Sequence, residues 1–220
     1  MAIDGPMGSG KSTVAREVAR RLGFRYVDTG AMYRAVAVAA LRRGIAPDDA
    51  EALARLTRDL DLRVEPGADG TSRVFVDGQD ITPALRSVEV NRIVSCVARV
   101  PEVRQALGDL QRALGAAGDV VMDGRDIGSV ILPNADVKVF LTASPDARAR
   151  RRQAELAAAG EHVPLEDVRR IEAEDDRAAT TREVAPLIVA PDAVVIDSTD
   201  LTVERVVEQI LSLVNRTHGL

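Results

Sequence analysis

The chain is 220 residues long, 46% hydrophobic and 29% charged, with a formal net charge of −5. That is ample for a packed core and unlike a disordered chain, and the acidic balance argues against generic nucleic-acid or acidic-membrane binding. The single cysteine, Cys96, excludes an internal disulfide framework and fits a reducing cytoplasm, and no run approaches the about 18 apolar residues of a membrane span.

Met1 to Asp4 reads as a strand of roughly 13 Å at the extended rise, either clipped at its start or truncated. No secretory leader fits before the motif that follows. Gly5-Pro6-Met7-Gly8-Ser9-Gly10-Lys11-Ser12 has the form G-x-x-x-x-G-K-[ST]. Glycines let such a loop curl until successive N–H groups face inward as an anion nest. Lys11 adds a mobile charge for outer phosphates, and the Ser12 hydroxyl is placed for Mg²⁺. A helix opens near Lys11, so its positive dipole end points at the same anion. Val14, Ala15, Val18, Ala19 and Leu22 form its apolar face, and Gly23 stops it. A chance Gly-rich turn is the competing reading, but the helix that follows counts against it.

Phe24 to Asp28 reads as a strand and "GAMYRAVAVAALRRG" as a helix ending at Gly44. Asp61 to Thr82 breaks the alternation. "LRVE" and "RVFVD" have a period of two and are joined by a Gly/Pro/Asp turn, an antiparallel insert on a helical arm from about Ala31 to Ala98. A helix with proline in its first turn runs from Pro101 to Leu114. Asp119 to Gly124, Ala135 to Thr142 and Asp192 to Asp197 are apolar runs of buried-strand length. Helices span Ser144 to Ala159 and about Thr202 to Asn215. Five short buried strands alternating with helices predict an α/β fold with a five-stranded parallel sheet flanked by helices. Four strands run into Asp4, Asp28, Asp123 and Asp197. Ligands sit beyond the carboxyl ends of such strands, although aspartate is also a good turn and cap residue, the reading favoured for Asp197. "ARARRR", Ala147 to Arg152, is the densest positive run, and Leu165 to Arg177 is a mixed-charge stretch. His162 and Cys96 attract no catalytic role. No cluster has zinc-ligand spacing.

"IDGPMGSGKST", "DTGAMYR", the insert ending "VDGQDIT", "LRSVEV", "DGRDIGSVILPNADVKVFLTAS", "REVAPL" and "IDST" together resemble the bacterial cytidylate kinases, P-loop nucleoside monophosphate kinases, over essentially the whole chain. The resemblance implies a P-loop core of residues 1–30 and 99–220, a short lid at about 144–177, and an acceptor-binding arm of 31–98. It implies transfer of the γ-phosphoryl of ATP to CMP or dCMP, with Mg²⁺, in a cytoplasmic monomer with no nucleic-acid or membrane partner. ATP would lie on Gly5, Pro6, Met7, Gly8, Ser9, Gly10, Lys11, Ser12 and Thr13. Ser12 would hold Mg²⁺, with Asp123 acting on it through water. Arg34 and Arg125 match arginines that grip the acceptor's phosphate, where guanidinium forks bind bidentately. Thr29, Ser95, Arg104, Asp126 and Arg182 complete the acceptor set. A carboxylate such as Asp126 suits the cytosine amino group and repels uracil. Arg148, Arg151 and Arg152, with Lys11 and Arg125, are the candidates for stabilising the transferring group, on a moving lid. Solvated helix faces are the plain alternative for Arg34, Arg104 and the lid arginines, and a turn-opening aspartate for Asp123.

One departure stands out. The family pattern Arg-Asp-x-x-Asp-x-x-Arg before "(A/S)-P-L" meets Asp175 and Ala179 here at its first Arg and second Asp. Ribose recognition rests on that Asp, so weak discrimination between CMP and dCMP is expected. Asp175, Asp176 or Arg177 could substitute if the helix register shifts. A regulatory GTPase would need a guanine-reading N-K-x-D, and no Asn precedes Lys. A kinase of another small acceptor, such as UMP, AMP or shikimate, and a non-catalytic nucleotide-binding module are the other classes considered.

Overall fold

The structure, a computed structural model, describes residues 1–67, 70–158 and 160–218. The turn residues 68 and 69 of the insert, Ala159 at the end of a predicted helix and the last two residues of the chain lie outside them. The strands are β1 (Ala2–Asp4), β2 (Arg25–Asp28), β3 (Leu62–Pro66), β4 (Ser72–Val76), β5 (Gln79–Asp80), β6 (Val120–Gly124), β7 (Lys138–Thr142) and β8 (Val194–Asp197). The helices are α1 (Lys11–Leu22), α2 (Thr29–Arg42), α3 (Ala50–Asp59), α4 (Val88–Val97), α5 (Pro101–Ala116), α6 (Pro145–Ala158), α7 (Leu165–Thr181) and α8 (Val203–His218). The parallel sheet has the order β2-β6-β1-β7-β8, and a second sheet has the order β3-β4-β5. The predicted α/β class is therefore what forms. The chain divides into two compact units, Met1–Leu22 with Asp123–Leu220, and Gly23–Met122.

In the first unit, β1 pairs with β7 from Ala2 opposite Lys138 to Asp4 opposite Phe140, and β7 pairs with β8 up to Thr142 opposite Asp197. Strands covered on both faces carry apolar side chains throughout. Ile3, Val139 and Leu141 are accordingly buried, with Val14, Val18, Val207 and Ile210 packed where α1 meets α8. After Gly124 the chain makes a π-helical turn, Ile127–Ile131. Asp4, at the end of β1, holds its start by accepting from Ile127 N at 2.8 Å and Gly128 N at 2.7 Å. Lys138 is buried at the start of β7 and donates to Pro133 O and to both Asp192 oxygens.

The second unit is built helix on helix. Ala31, Met32 and every residue from Ala35 to Ala40 of α2 are buried. Such small side chains let α3 and α4 approach α2 closely, which explains a core with few aromatic rings. Asp28 caps α2 by accepting from Ala31 N at 2.9 Å. The insert gains a third strand, β5, beyond the predicted pair. Asp77 and Gly78 have φ values of 50° and 78°, a two-residue turn that folds the chain straight back on β4.

Gly5 follows β1 with φ 151°, and a Cβ there would stand 2.0 Å from Leu141 O. Because that neighbour is strand backbone, no side chain can rotate to relieve the clash. Gly5→Ala should cost about 3 kcal/mol or more in chemical denaturation, or prevent soluble expression.

Candidate active site

In the first unit, the loop between β1 and α1 gathers most of the residues expected there. Its lysine is folded back. Lys11 Nζ donates to Pro6 O at 2.7 Å. Burial and, next, the positive charge of Arg125 lower the Lys11 pKa to about 8, while Asp123, Asp4 and Asp176 oppose the shift. Ser12 Oγ donates to Asp123 Oδ2 at 2.9 Å, so the first residue pair of α1 and the end of β6 are joined. Asp4 and Asp123 are each only 4% exposed. Burial raises the Asp4 pKa to about 6 against the pull of its two backbone donors.

The arginines of α6 divide into two kinds. Arg148 is buried and donates to Met7 O at 3.1 Å and Ala143 O at 3.2 Å. Arg151 donates to Ser9 O at 3.5 Å and to Ser198 Oγ and O at 3.0 and 2.6 Å. Both therefore brace the outside of the glycine loop. Arg152 instead pairs with Glu155 one turn along its own helix, at 3.1 Å. Arg125 Nη2 donates to Asp175 Oδ2 of α7 at 2.7 Å. Arg182, just past α7, lies 3.7 Å from the buried Asp126 and donates to Ala185 O. Asp197 bonds Thr199 within its own turn, the plain role expected of it. Ala179 is buried on α7 and has no polar group to offer.

In the second unit, Thr29 is buried in the first turn of α2 and Arg34 follows one turn later. A Cβ on Gly30 would stand 2.9 Å from Arg34 Nη1, so the guanidinium lies across that glycine. Arg104 on α5 is buried, sits 5.5 Å from the centre of the Tyr33 ring and donates to Ala98 O at 3.3 Å. Ser95 is half-buried on α4, the helix packed against α2.

The sequence reading missed Tyr33, although it stands inside "DTGAMYR". It also missed Glu172, which lies in the stretch read only as mixed charge. Glu172 is 3% exposed, neither carboxylate oxygen has a hydrogen-bond partner, and Arg148 Nη1 is 4.0 Å away. The carboxylate presses on the glycine loop, since a Cβ on Gly8 would stand 2.8 Å from Glu172 Oε1. Burial pushes its pKa up to about 7. A carboxyl whose folded pKa exceeds the unfolded value destabilises the fold once it ionises. That cost is absent below pH 4.5 and complete above about pH 7. Glu172→Gln lacks it. The variant should gain stability over the native protein as pH rises from 5 to 8, by on the order of 2 kcal/mol, read from thermal or urea unfolding.

Comparison with known proteins places this geometry. The family model described as Cytidylate kinase matches residues 1–216. A cytidylate kinase of Pelotomaculum thermopropionicum is 51% identical over 215 residues, covering 98% of this chain and 95% of that protein. Another, from Desulfitobacterium hafniense, is 52% identical over 215 residues, covering 98% and 92%. Among solved structures, an uncharacterized protein from Eubacterium ventriosum superposes with a TM-score of 0.52 at 12% identity, over 98% of this chain and 97% of that one. That last likeness concerns the fold alone.

Proposed function

The chain belongs to the cytidylate kinase family, and from that premise we propose that it transfers the γ-phosphoryl group of ATP to CMP or dCMP. An oxygen of the acceptor's phosphate forms the new bond to the γ-phosphorus. The bond from that phosphorus to the β–γ bridging oxygen breaks, giving ADP and CDP or dCDP. Such transfer asks little covalent chemistry of a protein; it needs positioning and charge neutralisation.

The carrying observation is the half-buried Lys11, folded onto Pro6 O at 2.7 Å beside a glycine loop. An ammonium in that position has an obvious better partner in a phosphate oxygen. The backbone N–H groups of Gly5 and of Met7 to Thr13, with the α1 N-terminus, hold the β- and γ-phosphates of ATP. Ser12 and Asp123 fit Mg²⁺. They bring two hard oxygens together at 2.9 Å, and no group of three His, Cys, Asp or Glu able to form a full protein cage exists among the described residues. Mg²⁺ takes few protein ligands beside substrate phosphates and water, and when bound it neutralises phosphate charge.

Arg34 and Arg125 each offer a guanidinium fork suited to the acceptor's phosphate. Asp126, buried and flanked by Arg182, accepts from the cytosine amino group. Thr29, Ser95 and Arg104 are the second unit's contributions to the acceptor. Arg148 and Arg151 act on the transferring group through the loop they brace, and Arg152 by reorienting from Glu155. Residues 31–98 serve as the acceptor arm and about 144–177 as the lid. The single Cys96 supports a cytoplasmic enzyme, and the acidic net charge one without a nucleic-acid partner. No helix among the described residues is long and apolar enough to cross a membrane.

A screen of nucleoside monophosphates with ATP and Mg²⁺ should show turnover of CMP and dCMP, with kcat/KM for UMP lower by about a hundredfold or more. Because Ala179 offers the sugar no acceptor, CMP and dCMP should differ by no more than about tenfold, the worth of one hydrogen bond. Equal turnover of UMP would reject the role of Asp126. Lys11→Ala should lose at least about a thousandfold in kcat with an unchanged circular-dichroism spectrum; near-native turnover would reject the assignment.

A further inference from the structure

One stripe of α7 is acidic and faces the cations of the glycine loop. Glu172, Asp175 and Asp176 stand at positions i, i+3 and i+4, so they share a helix face. Each meets a group already described. Glu172 presses on Gly8. Asp176 pairs with Arg148 Nη2 at 2.8 Å. Asp175 takes one prong of Arg125, Nη2, at 2.7 Å, with the two side chains only 23% and 19% exposed. The other prong, Nη1, is buried without a hydrogen-bond partner.

The cations need these carboxylates. Lys11 and Arg125 repel each other across a poorly solvated site. The counter-charges for Arg125 and Arg148 come from α7. An incoming phosphate therefore meets an Arg125 whose fork is already half taken. A phosphate bound end-on draws on Nη2 as well as Nη1, and so competes with Asp175 for that nitrogen.

We propose that Asp175 sets the affinity of this protein for its acceptor. It is a resident counter-ion of Arg125 that stabilises the empty site and competes with the acceptor's phosphate for the same guanidinium. The inference rests on the reading that Arg125 binds that phosphate. It predicts two effects of opposite sense. Removing the charge at 175 loosens the ligand-free protein and tightens its hold on the ligand. A strut that merely fixed Arg125 in a productive pose would lose both together.

The test compares the native protein with Asp175→Asn, using calorimetric titration with CMP and the thermal midpoint without ligand. The Kd for CMP should fall about fivefold, KM for CMP should fall with it, and the ligand-free midpoint should drop. Weaker or unchanged CMP binding in the variant overturns the proposal, whatever happens to the midpoint. If the native protein fails to bind CMP, the cytidylate kinase reading fails instead. Titration with inorganic pyrophosphate then still decides whether Asp175 competes for Arg125, with the same expected direction. Should the amide variant not fold, Asp175→Ser carries the same expectation.

Discussion

A protein that binds phosphates must keep several cations close together before any phosphate arrives. Here that constraint is met by burial among carboxylates rather than by exposure to water. Lys11 is pushed toward its neutral form by burial and by Arg125, and drawn back by Asp123, Asp4 and Asp176. Most of the surrounding architecture follows from this balance. The strand-end aspartates are not free to wander: Asp4 is fixed by two backbone donors and Asp123 by Ser12. Arg148 and Arg151 disperse their protons over loop carbonyls. The negative net charge of the chain is thus compatible with anion chemistry, because the local arrangement and not the global field determines what the loop attracts.

The second unit obeys a different requirement. It is held by aliphatic packing around α2. Alanine or valine at every position from Ala35 to Ala40 of that helix allows neighbours on several sides. The polar groups it does bury are placed sparingly. Arg104 keeps its charge under cover by lying near the Tyr33 ring and bonding Ala98 O. Ser72 joins the insert to β2 by donating to Tyr26 O at 3.1 Å.

What could be read from the chain and what could not divide along physical lines. The glycine loop was legible because its spacing is imposed by backbone geometry local to eight residues. The central strands were legible because burial on both faces leaves a continuous apolar run. Other features depend on partners far away in sequence. The π-helical turn at Ile127–Ile131 is held by a carboxylate more than a hundred positions earlier, and nothing in "IGSVI" announces it. β5 is two exposed residues long and carries no alternation to detect. Helix α3 lay within a region recognised only as helical, though its cap, Asp49, bonds Ala52 N at 2.9 Å. The sequence marks Asp175 as an oddity and Glu172 as one charge among many. Only three-dimensional placement pairs the first with Arg125, fifty positions away, and buries the second against Gly8.

Arg148 and Arg151 leave α6 and end on the carbonyls of Met7 and Ser9, alternate residues of one loop. The loop's N–H groups are the other faces of the same peptide planes. A rotation of α6 that pulls on those oxygens must tilt the planes, and with them the dipoles aimed at a bound anion. The set of the helix and the aim of those dipoles are thus joined by two side-chain hydrogen bonds.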